Sequence, residues 1–204
     1  MRYKNIIFDV GGVLIGYRWM EMLNDYGLSQ EEANAFARDI FPHPIWSQFD
    51  LDNVSHDTVI ETYVAAFPHY EAPIRWFFGH PELMPVGRPQ IWEQVHALKQ
   101  AGYKTYLLSN YSRYLFSMHT DGMPFRDDMD GGVISYQIHA IKPDPAIYHE
   151  LFDRYSLTPC ECLFLDDRQV NIDGGNACGM DGIVIENIQQ LSQVLSALLK
   201  EAQR

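Results

Sequence analysis

Five short apolar runs rich in β-branched residues punctuate this chain: Asn5 to Val10, Lys104 to Ser109, Gly132 to Tyr136, Cys162 to Asp166 and Gly182 to Glu186. Near-continuous apolar runs of this length suit strands of a parallel sheet buried on both faces. Helical periods separate the later runs. Ile91, Val95 and Leu98 follow i, i+4, i+7 and stop at Gly102, a C-terminal cap. Ile147, Leu151 and Tyr155 follow Asp144, a candidate N-cap, and Pro145 in the first turn. Leu191, Val194, Leu195 and Leu198 make a closing amphipathic helix. Strand-helix alternation of this kind predicts a doubly wound α/β fold around a parallel sheet.

The interval from about Gly16 to Val86 has a different texture. It shows no clear strand and reads as several helices. One runs through Met20 and Leu23, one opens at Ser29 with Glu32 in the capping-box position, and one opens at Ser55. Aromatic residues are dense here, from Trp46 and Phe49 to Trp76, Phe77 and Phe78, and most of them suit helix packing. Because the interval follows the first strand directly, it reads as a helical insertion over the strand ends, the edge where open α/β sheets bind ligands.

Composition narrows the function classes. A formal net charge of −12 argues against nonspecific binding to nucleic acid or to an anionic membrane. It leaves room for a small anionic substrate, since a metal ion and a few local donors outweigh a global field. Cys160, Cys162 and Cys178 match neither a disulfide framework nor a zinc pattern, and read as small buried residues in a reduced compartment. No secretory signal and no apolar run of membrane-spanning length is evident, so the expectation is a cytoplasmic protein.

Four stretches carry chemistry. In "IIFDVGGVL", Asp9 closes a buried strand, where a carboxylate is costly unless paired or metal-bound. In "TYLLSNY", Ser109 and Asn110 offer a hydroxyl and an amide to an oxyanion. In "AIKPDPAIY", Lys142 is a point charge for a phosphate or carboxylate. Taken singly, these three fit an ordinary turn, a helix cap and a solvated lysine at least as well. In "CLFLDDRQVNIDGGNACGM", Asp166 and Asp167 repel each other unless a cation intervenes, and a hard divalent ion such as Mg²⁺ suits an oxygen-only set. Asn171, Asp173, Gly174 and Gly175 continue this stretch as a polar, tightly turning surface.

The order of these stretches along nearly the whole chain resembles the haloacid dehalogenase-like hydrolase superfamily. "FDVGGVL", "LLSN", "KPDPAIY" and "FLDDRQVNIDGGNACGM" resemble its four motifs in turn. The resemblance implies a Rossmann-like core from residues 1–15 and 87–204 and a helical cap subdomain from 16–86. The texture is most similar to a branch of small sugar-phosphate phosphatases whose first motif reads Asp-x-Gly, such as the glucose-1-phosphate phosphatases. By resemblance, Asp9 is the nucleophile of a phosphomonoester hydrolase, attacking phosphorus to form an aspartyl-phosphate. Ser109, Asn110 and Lys142 bind the phosphate, Lys142 also serves catalysis, and Asp9, Gly11, Asp166 and Asp167 hold Mg²⁺. The implied partner is a small phosphorylated metabolite, a sugar phosphate being one such substrate.

Gly11 departs from the superfamily pattern, which has a second Asp at that place. A backbone carbonyl at Gly11 still serves a metal, but no carboxyl is present to protonate the leaving group, help worth about 10²–10⁴-fold. Asp50, Asp52, His43 and His56 are conceivable substitutes, with nothing in the sequence to choose among them. Two other readings stand beside the phosphatase. A metal-independent 2-haloacid dehalogenase also lacks the second Asp, although it has no use for Asp166–Asp167. A non-enzymatic phosphoryl-ligand-binding protein on a decayed fold is the third.

Overall fold

A computed structural model of the chain describes residues 2–203; the terminal residues 1 and 204 of the expected core segments lie outside the described residues. The chain begins with β1 (Asn5–Phe8) and β2 (Ile15–Tyr17), then runs through five helices, α1 (Trp19–Tyr26), α2 (Gln30–Ile40), α3 (Ile45–Asp50), α4 (His56–Ala66) and α5 (Glu71–Gly79). It continues through β3 (Pro85–Gly87), α6 (Pro89–Gln100), β4 (Lys104–Ser109), α7 (Arg113–Thr120), β5 (Gly131–Ile134) and α8 (Ser135–Ile138). The last part holds α9 (Pro145–Tyr155), β6 (Cys162–Asp166), α10 (Gln169–Ala177), β7 (Asp181–Val184) and α11 (Ile188–Ala202).

Five strands form a parallel sheet in the order β5-β4-β1-β6-β7. All four residues of β1 are buried, as its uninterrupted apolar run requires of a central strand. Period-two alternation splits them between two cores. Ile6 and Phe8 join Ile91, Val95 and Leu195 from α6 and α11, whereas Ile7 joins Ile147, Leu151 and Ile172 from α9 and α10. The sheet grows from β1 to β4 and β5 on one side and returns to β6 and β7 on the other. The C-terminal end of β1 is therefore the topological switch point, where ligands bind in such sheets.

β1, β5 and β7 end before their apolar runs do, whereas β4 and β6 end with theirs. β5 stops at Ile134 because the Ser135 hydroxyl, at the start of α8, accepts from the Tyr111 amide and donates to the Asp50 carbonyl. Within the interval expected to be free of strands, Ile15–Tyr17 and Pro85–Gly87 pair as a short antiparallel ribbon. Three-residue strands containing Gly and Pro carry no readable period. The ribbon is where the chain leaves the sheet and returns to it. Just beyond β3, Arg88 Nη1 donates to the Gly12 and Val13 carbonyls at 2.5 and 2.8 Å, and Trp92 Nε1 donates to the Leu14 carbonyl at 2.7 Å. These bonds pin the loop that follows Asp9. The helix signals hold: Ser29 and Glu32 form a capping box on α2, Ser55 caps α4, and Asp144 caps α9 with Pro145 in the first turn. Of the three cysteines only Cys162 is buried; Cys160 is exposed and Cys178 half-buried, and all are free.

At the edge of the sheet Gly132 pairs with Leu107, and a Cβ on it would lie 2.7 Å from Leu107 Cβ and 2.9 Å from its carbonyl oxygen. Backbone cannot yield there. Gly132→Ala is expected to destabilise the fold by about 1–3 kcal/mol in urea denaturation. Gly79→Ala, with nothing within 4 Å of the added carbon, is expected to be neutral or slightly stabilising.

Candidate active site

The parallel register brings three polar chain positions together at one edge. Asp9 directly follows β1, and its amide donates to the Leu165 carbonyl at 2.9 Å. Ser109 closes β4 and Asp166 closes β6, the two strands that flank β1. The Asp9 carboxylate is held by one oxygen. Its Oδ1 accepts from the Val10 amide at 2.7 Å and from Ser109 Oγ at 2.6 Å, and faces Lys142 Nζ at 3.1 Å. Among the described residues no hydrogen bond reaches Oδ2. One oxygen anchors the group and the other is available for chemistry.

Lys142 is not a solvated lysine. It is 2% exposed, and its ammonium spends three protons on the Leu108 carbonyl at 2.8 Å, Asp166 Oδ2 at 2.6 Å and Asp9 Oδ1 at 3.1 Å. Burial alone would lower its pKa, but Asp9 and Asp166 outweigh burial and raise it, so the ammonium stays charged. Asp166, fully buried, accepts further bonds from the Arg168 amide at 2.8 Å and from Asn171 Nδ2 at 3.0 and 3.1 Å. Burial pushes Asp9 up to about 7; Lys142 pulls it down, while Asp166 and Asp167 push it further up.

Two expected roles shift. Asn110 accepts from the Lys142 amide at 2.7 Å and donates to the Lys142 carbonyl at 3.0 Å, so its amide clasps the lysine's backbone rather than standing open as an oxyanion donor. Ser109 likewise spends its proton on Asp9. The expected turn after Asp167 is a helix, α10, in which Asn171 is buried against Asp166. Gly174 is needed there for close packing, since a Cβ would lie 2.9 Å from the Tyr148 hydroxyl and 3.0 Å from Pro143.

Asp167 is exposed and lies against Gly12, whose φ of +72° and lack of a Cβ leave room for its carboxylate. One oxygen each from Asp9, Asp166 and Asp167 lie within 4.8 Å of one another. An all-carboxylate set of this spacing fits a hard divalent cation and not a soft one.

Gly11 faces a side chain that the sequence did not signal. A Cβ on Gly11 would collide with the Tyr17 hydroxyl. That hydroxyl lies 2.7 Å from the Tyr111 hydroxyl, which lies 2.8 Å from His119 Nδ1, and His119 Nε2 lies 3.0 Å from the Pro81 carbonyl. A carbonyl only accepts, so Nε2 carries the proton. Burial holds the His119 pKa down at about 4, so the ring is neutral and Nδ1 accepts. Tyr111 must therefore donate to His119, and Tyr17 must donate to Tyr111. Tyr17, Tyr111, His119 and Asn110 also line a cavity of about 340 Å³ beside the Asp9 centre. Among the four conceivable substitutes for an acid at Gly11, Asp50 and His56 line this cavity. Asp52 is paired with Arg113 at 3.1 Å, and His43 packs between Tyr63 and Phe67. Burial pushes the Asp50 carboxyl up to about 7.

A family model for haloacid dehalogenase-like hydrolases matches residues 3–179. The chain belongs to the haloacid dehalogenase-like hydrolase family. Among relatives of this hydrolase, the D-ribitol-5-phosphate phosphatase of Bacteroides thetaiotaomicron is 32% identical over 96% of this chain and 98% of its own length. Flavin mononucleotide hydrolase 1 of Arabidopsis thaliana is 40% identical, but over only 28% of this chain and 23% of that protein. Among solved structures, a family enzyme of Bacteroides thetaiotaomicron in complex with magnesium and inorganic phosphate superposes with a TM-score of 0.67 at 19% identity, covering 89% of this chain and 93% of that one. L-2-haloacid dehalogenase of Xanthobacter autotrophicus superposes with a TM-score of 0.66 at 14% identity, covering 90% and 77%. Phosphatase and dehalogenase thus share this hydrolase's fold, and the site must decide between them.

The neutral imidazole of His119 has a consequence for acid stability. Its folded pKa of about 4 lies below the ordinary histidine value of 6.5, so protons bind the unfolded chain first. The resulting stabilisation is complete above about pH 6.5 and declines as pH falls to about 4, at up to roughly 1.4 kcal/mol per pH unit. Asp9 and Asp50, both raised, act in the opposite direction over the same interval. The histidine contribution is therefore read as the difference between the parent and His119→Gln, whose denaturation free energies should converge as the pH is lowered from 6.5 to 4.

Proposed function

We propose that this hydrolase is a Mg²⁺-dependent phosphatase that cleaves small phosphomonoesters through an aspartyl-phosphate. The observation that carries the reading is the Asp9 carboxylate, anchored through Oδ1 and open at Oδ2, beside two further carboxylates at metal-binding distance. The relative that matches along nearly the full length is a phosphatase, which supports the same reading. A dehalogenase would have no use for three converging carboxylates. The retained Lys142 network weighs against a decayed site, since burying these charges without function is costly.

In this reading Asp9, Asp166 and Asp167 hold Mg²⁺ with the Gly11 carbonyl. The bound ion supplies positive charge where an anionic nucleophile meets an anionic substrate. Asp9 Oδ2 attacks phosphorus as the bond to the leaving oxygen breaks. Ser109 and Lys142, fixed on Oδ1, aim the other oxygen. Lys142 balances the charge of both carboxylates as phosphate arrives, and Asn110 keeps the lysine in place through its backbone. Proton transfer falls to Tyr17, whose hydroxyl fills the space of a side chain at Gly11. Its hydroxyl turns from Tyr111 to give its proton to the leaving oxygen, and the Tyr111 hydroxyl turns from His119 to the phenolate. The water that then opens the aspartyl-phosphate returns a proton to Tyr17, which restores Asp9 and frees phosphate.

Release of phosphate from p-nitrophenyl phosphate should require Mg²⁺ and vanish in Asp9→Asn. Full activity in that variant, or halide release from a chloroacid without Mg²⁺, would sink the reading. Tyr17→Phe should slow alkyl phosphates by about 10²-fold or more and p-nitrophenyl phosphate only a few-fold, because a nitrophenolate leaves without a proton. An equal loss on both ester types would remove Tyr17 from the proton path.

A further inference from the structure

The walls of the 340 Å³ cavity are those of an aromatic box. Trp19, Phe41, Trp46, Phe77, Phe78 and Met84 line it, contributed by the helices between β2 and β3 and by the start of β3's approach. Neither Lys nor Arg is among its lining residues, and its one charged group is the acidic Asp50. A substrate's second anionic group would find no counter-charge there and would face a carboxylate. Two of the polar lining residues, Tyr111 and His119, are already committed to the chain of hydrogen bonds that ends on the Pro81 carbonyl. A polyol would bring many hydroxyls into a space with few free partners, and each unpaired one loses its bond to water.

We infer that the cavity takes the leaving group of the substrate as an uncharged, largely apolar ring system, seated among Trp46, Phe77 and Phe78. The inference rests on the phosphatase reading and names its substrate class, that of arylalkyl phosphates rather than polyol or doubly anionic phosphates.

The test compares kcat/KM for phosphate release from phenethyl phosphate and ribitol 5-phosphate, both esters of primary alcohols. p-Nitrophenyl phosphate serves as the control for phosphatase chemistry. Phenethyl phosphate is expected to exceed the polyol ester by roughly tenfold or more. Trp46→Ala should lower turnover of phenethyl phosphate and spare ribitol 5-phosphate. Equal or better turnover of the polyol ester, with p-nitrophenyl phosphate hydrolysed, overturns the substrate class alone. No phosphate from any of the three esters overturns the phosphatase reading and this inference with it.

Discussion

A single ammonium group organises the sheet edge. Lys142 Nζ sits between Asp9 and Asp166 with a third bond to the Leu108 carbonyl, so it touches β1's extension, β4 and β6 at once. Three chain segments that carry charge or dipoles can converge only because this cation is there. Removing one partner of such a buried set leaves uncompensated charge, a cost of about 3–5 kcal/mol. The surrounding bonds serve the same end: Asn110 fastens the lysine's backbone, while Asn171 and the Arg168 amide fasten Asp166. The site is stiff because Lys142, Asp9 and Asp166 each hold more than one partner.

The helical segment is joined to this edge by more than the ribbon. The Asp50 carbonyl accepts from Ser135 Oγ, the Leu51 carbonyl pairs with His139 Nδ1, and Asp52 pairs with Arg113. These contacts bring the end of α3 over the C-terminal edge of the sheet. The cavity walls and the reactive carboxylate therefore come from different parts of the chain but share one mouth. Polar groups of the sheet edge set the chemistry at one end, and aromatic groups of the helices set the company it keeps at the other.

Much of this was legible in the sequence wherever local rules governed it. The apolar runs marked β1, β4 and β6 because strands buried on both faces have no polar alternation to hide them. Asp9, Ser109 and Asp166 fell at strand ends for the same reason. Ser29 with Glu32, and Asp144 with Pro145, marked helix starts through bonds that span only a few residues. What stayed hidden depends on distant partners. Tyr17 and Tyr111 are 94 residues apart, and no periodicity announces that their hydroxyls meet. Asn110 read as an oxyanion donor because the sequence could not show Lys142's backbone occupying it. The ribbon was missed because three residues with Gly and Pro leave no pattern, and Gly174 and Gly175 read as a turn although packing places them in a helix.

Gly11 and Tyr17 share one slot, and that changes which part of the molecule owns the proton. A carboxyl at position 11 would belong to the same loop as the nucleophile and move only with it. The hydroxyl that fills the slot belongs to β2, the strand by which the chain departs for its helical segment. Substitutions at the two positions are thus mutually dependent, since any side chain at 11 must first evict the phenol. In the proposed mechanism the proton donor would thus be tied to the helical segment and the nucleophile to the sheet, and the fit between these two parts of the chain would set their alignment.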